Sequence, residues 1–321
     1  MFKFPLNVEL DLTYKCNYNC LYCRNGLIKE KNELSLNVVE SLIKELNINN
    51  IFNVNISGGE PLLHKNFDSI IKLLSDNNIT WNLTTNGSLI DEEMAKKLKD
   101  NKINSIFITL AGMNDEIDSY HKNSKNTFSK SINCITLCKN LGIDVYVGYL
   151  LTPINLKYVD EFIDFIIEYD LKAKLMKVKP LGNSLQNQNL FIDDIGYDET
   201  LLYMSKKLGS KLIIGEQNEK AEDINCMAGV TSCIIGADYY VYPCVMFLGE
   251  NKVRCGCVKD SSLYEIWNNS GVLKEFRKPR VFDTKCKSCG KKAKCHGGCR
   301  GKAFLEKGDY KKVEGGCYSG I

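Results

Sequence analysis

Between residue 6 and about residue 180, six short apolar runs alternate with amphipathic stretches. The runs VELDL (8–12), IFNVNIS (51–57), TWNLTT (80–85), SIFITL (105–110), DVYVGYLL (144–151) and KAKLMKV (172–178) read as strands. Between them, near 35–47, 66–77, 91–100, 126–141 and 157–168, apolar residues recur at three- and four-residue spacing, which predicts helices. Repeated strand–helix units imply parallel βαβ connections, hence an α/β barrel or an open doubly wound sheet. Such folds gather their chemistry at the carboxyl ends of the strands. Each polar motif discussed below follows one of those ends.

Residues 181–222 read as a connecting segment with one helix, DETLLYMSKKLG. From Cys226 onward the pattern changes to short β-like pieces, Gly-rich turns and cysteines. This tail has too little apolar content for a large core of its own and is expected to depend on bound metal. The expected division is 1–180, 181–222 and 223–321.

The chain has 15 cysteines in 321 residues: three near the start, two in the middle and ten after residue 225. No apolar h-region opens the sequence, and no run nears the roughly 18 apolar residues of a membrane span. A cytoplasmic protein is therefore expected, and cytosolic thiols stay reduced, which favours metal binding over disulfides. With 42 basic against 39 acidic residues, nucleic acid and membrane partners are not expected.

Cys16, Cys20 and Cys23 form C-x3-C-x2-C just after the first strand. Three thiolates can reach one compact centre, whereas structural zinc normally closes with four ligands. A distant residue completing a zinc loop is the plain alternative. A cubane cluster held by three cysteines leaves one iron open. The motif, with Tyr22 before the last cysteine, resembles the signature of the radical S-adenosylmethionine (SAM) superfamily. The resemblance covers residues 8 to about 180. It implies a partial (β/α)6 barrel and a 4Fe-4S cluster that reduces S-adenosylmethionine to methionine and a 5′-deoxyadenosyl radical.

Further motifs fall where that fold would need them. Gly58-Gly59-Glu60-Pro61 is similar to the family's GGEP, which holds the methionine amino group; its glycines allow close backbone approach to a ligand. Thr84-Thr85-Asn86-Gly87 resembles TNG, implying that Thr85 and Asn86 line the cofactor cavity. Read alone, each is only a turn. Thr109 falls where relatives carry Ser in an SLDG segment, and the expected Asp is Ala111. The resemblance also places Leu150 or Leu151, with Leu151 preferred, near the adenine.

In the tail, Cys286-x2-Cys289-x5-Cys295-x3-Cys299 and then Cys317, with Cys226 and Cys244, resemble the SPASM domain of peptide- and protein-maturing radical SAM enzymes. The resemblance implies two auxiliary 4Fe-4S clusters, three in all. Cys286, Cys289, Cys295 and Cys317 would hold the distal one. Cys226, Cys244 and Cys299 would hold the nearer one, with Cys233 as a fourth ligand. WNNSGVLKEFR resembles the helix joining the two halves of such domains. Two positions depart from the pattern. Tyr239 replaces a glycine five residues before Cys244, in a turn expected to survive, and Val245 stands where anaerobic sulfatase maturases carry a catalytic Asp. Cys255 and Cys257 have no matched role and read as loop thiols, ligands of the nearer cluster or hydrogen donors to a substrate radical. A pair of four-thiolate zinc sites is the alternative for the tail.

The rest reads plainly. Cys134 and Cys138, one helical turn apart among Ile and Leu, are core cysteines. His64 is a helix-start residue or borders the cavity, and His121 and His296 face solvent or bond locally. The Lys residues of 285–294 solvate the surface or attract an acidic leader peptide. The resemblance implies a ribosomally made precursor peptide as substrate, oxidised to a thioether or carbon–carbon cross-link. It also implies a low-potential donor such as flavodoxin or ferredoxin. Because the cysteine loop begins at residue 16, three readings stand open: the leader is bound by the barrel and tail directly, it is bound by a separate leader-binding protein, or the substrate is small. A small-molecule dehydrogenase, a peptide epimerase and a non-catalytic electron carrier or zinc-stabilised binding module are the competing readings.

Overall fold

The computed structural model describes residues 2–213, 226–280, 282, 284–290 and 292–314. Cys317 lies outside the described residues. The first half runs β1 (Asn7–Thr13), α1 (Leu36–Ile48), β2 (Asn53–Gly58), α2 (Phe67–Asp76), β3 (Trp81–Thr85), α3 (Glu92–Asp100), β4 (Ser105–Leu110), α4 (Asp115–Lys122), α5 (Thr127–Asn140), β5 (Asp144–Leu151), α6 (Val159–Glu168) and β6 (Lys172–Lys177). The second half runs α7 (Asp194–Leu208), β7 (Ser232–Ile235), β8 (Tyr240–Tyr242), β9 (Gly256–Cys257), α8 (Leu263–Asn269), α9 (Gly271–Phe276), α10 (Thr284–Lys287), α11 (Lys292–Cys295) and α12 (Arg300–Lys307).

One sheet orders the strands β6-β5-β4-β3-β2-β1-β7-β8-β9. β1 to β6 are parallel neighbours in a partial barrel of the expected α/β class. Period-two alternation decides which face each side chain joins. Val8, Leu10, Val54, Ile56, Trp81, Leu83, Ile106 and Ile108 bury themselves under the helices. The intervening Glu9, Asn55, Asn82, Thr84 and Thr109 are only partly covered and line the inner face. Polar bonds stitch that face together across strands. Asn82 Nδ2 donates to Asn53 Oδ1 at 2.7 Å, and Asn55 and Thr84 meet at 3.3 Å.

Two features depart from the periodicity reading. α4 escapes it because DEIDSYHK buries Asp118, His121 and Lys122 rather than an apolar stripe; Asn114 caps it, its Oδ1 accepting the Ile117 amide at 3.0 Å. The tail is also not set apart from the barrel sheet. β7 adds to it in parallel, Val8 opposite Cys233 and Glu9 opposite Ile234, and β8 and β9 follow antiparallel. The low apolar content of the tail is offset in this way: Leu263, Ile266, Trp267 and Leu273 pack into the core of the barrel.

Candidate active site and its cysteine centres

The cysteine loop leaves β1 and is fixed by backbone contacts on three sides. Gly59 N–H donates to Thr13 O at 2.7 Å and Glu60 N–H to Lys15 O at 2.8 Å. A Cβ on Gly58, whose φ is +135°, would lie 2.4 Å from Thr13 O, and one on Gly59 would lie 2.2 Å from Lys15 O. The close approach expected of these glycines is therefore made to the cysteine loop itself. On the second side, Leu21 N–H donates to His121 O at the end of α4, at 2.8 Å. On the third, Asn183 N–H donates to Cys23 O at 2.9 Å, Asn183 Nδ2 to Cys20 O at 2.9 Å and Asn187 Nδ2 to Leu21 O at 3.2 Å. Neither asparagine stands out in the sequence.

Cys16, Cys20 and Cys23 lie within electrostatic reach of one another. Burial pushes the Cys16 thiol up to about 11 and Cys20 up to about 12, and raises Cys23 as well. Metal binding at neutral pH must therefore expel these protons. Among the described residues, no three His, Cys, Asp or Glu side chains are gathered around a point that would hold a single metal ion.

Glu60 is fully buried and ties the neighbouring motifs together. Its Oε1 accepts Thr85 Oγ1 at 2.7 Å and Leu62 N–H at 3.3 Å, and its Oε2 accepts Asn86 N–H at 2.9 Å. Burial pushes its carboxyl up to about 7. Asn86 Nδ2 in turn donates to Asn17 Oδ1, inside the cysteine loop, at 2.9 Å. Pro61 is buried beneath this junction. Thr109 is on the inner face of β4. Beside it, the Ala111 peptide is clamped at both ends. Asp118 Oδ1 accepts its N–H at 2.7 Å, and Asn155 Nδ2 donates to its O at 2.8 Å. A carboxylate absent at position 111 thus arrives from α4, but with no exposed surface of its own.

Of the two leucines on β5, Leu150 packs with Ala111, Val178 and Leu190 beside Leu21 and Tyr22 of the cysteine loop. Leu151 does not share that surface. Period two turns it to the helical face, where it is fully buried in the main core, so the expectation of Leu151 beside the cofactor is corrected. On the inner face of β1, Arg24 Nη2 donates to Glu9 Oε1 at 2.8 Å, Asp11 Oδ1 at 2.9 Å and Ser57 Oγ at 3.3 Å. Burial raises the Asp11 carboxyl against the pull of Arg24. The sequence reading did not single out this charged group, which has no motif spacing.

In the tail, Cys226 and Cys244 share one apolar cluster with Ile234, and Cys299 acts on both electrostatically. Cys233 does not join them. It follows the alternation of β7 to the opposite face, is 3% exposed in the main core, and has Cys255 as its neighbour. The expectation of Cys233 as fourth ligand is corrected accordingly. Cys255 is buried on that same outer side, away from the lumen. Cys257 pairs with Tyr240 across β8 and β9 and is half-buried. Cys286, Cys289 and Cys295 are half-buried around α10 and α11, and Cys289 N–H donates to Cys286 O at 3.3 Å. Val245 begins a short 3₁₀ turn after Cys244.

Two buried cations adjoin Cys226. Arg280 and Arg300 are 9% and 7% exposed, and Arg280 Nη2 is buried with no hydrogen-bond partner. Buried charge calls for a counter-ion, so a thiolate-held, anionic iron–sulfur centre fits this donor set. Tyr239 occupies its turn at φ +70°, the left-handed region for which glycine is suited. Its hydroxyl donates to Glu33 O at 2.9 Å and accepts Ser35 N–H at 3.1 Å, so the hairpin is anchored there.

His64, His121, Cys134 and Cys138 are structural, while His296 is exposed. His64 Nε2 meets Leu34 O at 2.7 Å, and His121, fully buried, bonds Ile117 O and Thr152. Cys134 and Cys138 are core residues.

Comparison with known proteins agrees with this geometry. Residues 10–166 match the Radical SAM superfamily, and residues 226–290 match the SPASM iron–sulfur cluster-binding domain. Mycofactocin maturase MftC of Mycolicibacterium smegmatis is 25% identical over 313 residues, covering 94% of this chain and 79% of that protein. The AdoMet-dependent heme synthase of Methanosarcina barkeri is 22% identical over 344 residues, covering 99% and 97%. The fold also matches Streptococcus suis SuiB. Bound to S-adenosylmethionine, SuiB gives a TM-score of 0.81 at 17% identity, over 97% of this chain and 76% of that one. Bound to its precursor peptide SuiA, it gives 0.81 at 18%, over 98% and 76%. No described helix is long and apolar enough to cross a membrane. With a cysteine loop held at the mouth of a partial barrel and a second cysteine group built onto the same sheet, the chain belongs to the radical SAM enzymes with a SPASM domain, which work with iron–sulfur clusters and S-adenosylmethionine.

Proposed function

We propose that this enzyme oxidises a ribosomally made peptide, forming a thioether or carbon–carbon cross-link, and that it carries three 4Fe-4S clusters. Cys16, Cys20 and Cys23 hold the first; Cys226, Cys244 and Cys299 hold the second; Cys286, Cys289, Cys295 and Cys317 hold the third. When bound, the first cluster supplies the electron that splits the sulfonium of S-adenosylmethionine and releases the hydrogen-abstracting 5′-deoxyadenosyl radical. The working division is a barrel at 1–180, a connector at 181–222 and an auxiliary-cluster domain at 223–321.

The observation that carries this reading is the pairing of β7 with β1. It brings Cys244 within electrostatic reach of Glu9, so two cysteine centres flank one polar lumen. Glu60 joins the GGE and TNG segments around the cofactor, and Leu150 with Tyr22 offers it an apolar wall. Glu9, Arg24, Asn55, Thr84 and Thr109 line the space left for substrate. A fixed wall orients the substrate C–H bond and excludes water and stray hydrogen donors. The maturase named among the relatives and the SuiB complex with its precursor peptide support a peptide substrate. Flavodoxin or ferredoxin is the proposed electron donor, a separate protein the leader carrier, and the cytoplasm the compartment.

The heme synthase relative, which matches this chain over nearly its whole length, favours a second reading: oxidation of a small molecule. The test incubates reconstituted enzyme, S-adenosylmethionine and dithionite with short peptides encoded beside its gene. The peptide reading expects a product lighter by two hydrogens. Unchanged peptides, with consumption of a small molecule from a neighbouring pathway, would replace it with the second reading.

A further inference from the structure

Among the described residues of the tail, Arg277 and Arg280 each leave a buried Nη2 without a partner; the charge of Arg277 meets Cys233 and Cys255, and that of Arg280 meets Cys226 and Cys299. Arg280 Nη1 donates to Gly297 O and, at 3.3 Å, to Lys312 O, while Nη2 is buried without a partner. The neighbouring Arg300 spends its donors on backbone carbonyls: Phe276 O at 3.2 Å, Lys278 O at 2.9 Å and Tyr310 O at 3.4 Å. Among the described residues, neither guanidinium has an ion-pair partner. Glu314, whose charge acts on Arg280, accepts the Cys299 N–H at its Oε2, at 2.8 Å. Besides Arg300 and Glu314, the groups within electrostatic reach of Arg280 are the thiols of Cys226 and Cys299.

We propose that Arg280 donates its Nη2–H to the sulfur of the cluster held at Cys226, Cys244 and Cys299, and that this bond raises the reduction potential of that cluster. Hydrogen bonds to sulfur and nearby positive charge are established means of moving such potentials upward. The cation is placed where an anionic centre needs neutralising: its Nη1 is bonded to the carbonyl of Gly297, two residues before Cys299. The inference rests on the reading of this group as a cluster site.

The test uses the full chain reconstituted with iron and sulfide, with Cys16, Cys20 and Cys23 changed to alanine so that only tail clusters respond. If no iron binds in this background, the cluster reading itself fails, whatever Arg280 does. With iron bound, Arg280→Gln is expected to lower the reduced-to-oxidised ratio of the nearer cluster at least tenfold at a fixed poise, a shift of 59 mV for one electron. Arg280→Lys keeps the charge, loses the directed bond and shifts less. An unchanged midpoint in the glutamine variant overturns the proposal, and if that variant loses its iron, an unchanged midpoint in the lysine variant does so. A measurement free of mutation decides independently. On protein labelled with ¹⁵N-arginine, the reduced tail clusters are expected to show a nitrogen hyperfine coupling and an exchangeable proton. The absence of both overturns the assignment.

Discussion

Replacing Tyr239 separates two effects that the wild-type turn combines. At φ +70° a tyrosine bears the steric cost of the left-handed region, about 1–2 kcal/mol. Against this stand the two hydroxyl bonds to Glu33 O and Ser35 N–H and the Lys259 ammonium 3.5 Å from the ring centroid. Bonds of this kind contribute about 0.5–1.5 kcal/mol each, and an exposed cation–π contact about 0.5–1 kcal/mol. Tyr239→Phe removes only the bonds and is expected to cost about 1–2 kcal/mol. Tyr239→Gly and Tyr239→Ala lose the same contacts, but only glycine relieves the backbone. After the extra chain entropy of glycine, the glycine variant should exceed the alanine variant by about 1 kcal/mol. Urea unfolding of the iron-free chain, followed by fluorescence of the buried Trp81 and Trp267, measures all three. A phenylalanine variant as stable as wild type would refute the hydroxyl clamp. Coincident alanine and glycine curves would refute the left-handed turn.

Three further outcomes follow from the site. Gly59→Ala drives a methyl against Lys15 O and displaces the cysteine loop, so it should abolish iron binding at Cys16, Cys20 and Cys23 while tail iron remains; a fully loaded variant contradicts the packing. Glu60 is lifted from 4.5 to about 7, so the folded chain holds a proton that the unfolded chain releases between these values. The stability this gives is whole below pH 4.5 and is lost as pH rises to about 7, a change of about 3 kcal/mol that Glu60→Gln should remove from urea unfolding of the iron-free chain; equal pH slopes would speak against it. Cys233→Ala should leave the iron content unchanged where Cys226→Ala lowers it, and equal losses would return Cys233 to the ligand set.

The parallel strands were legible because each carries its own hydrophobic signal: the runs 105–110 and 144–151 coincide with β4 and β5. What stayed hidden is tertiary. α4 buries a carboxylate, an imidazole and an ammonium, so its periodicity is polar. The carboxylate missing at Ala111 is supplied seven residues later by Asp118, and no local pattern announces that return. The glycines of GGEP were readable as a close approach, yet their nearest neighbour is the chain's own loop. Cys233 and Leu151 were placed by spacing and resemblance, and strand alternation turned both to the other face. The resemblance supplied the expected cysteine groups; only the fold could show that β7 joins β1 in one sheet.

The central claim is that Cys16, Cys20 and Cys23 hold the centre that cleaves S-adenosylmethionine. It is tested most directly by measuring 5′-deoxyadenosine and bound iron after anaerobic reconstitution, in the wild-type chain and in the variant with all three cysteines changed to alanine. The account expects about twelve irons and steady 5′-deoxyadenosine release from the wild type under dithionite, and about eight irons with no 5′-deoxyadenosine from the variant. Zinc in place of iron, or 5′-deoxyadenosine formed equally by the variant, would contradict it.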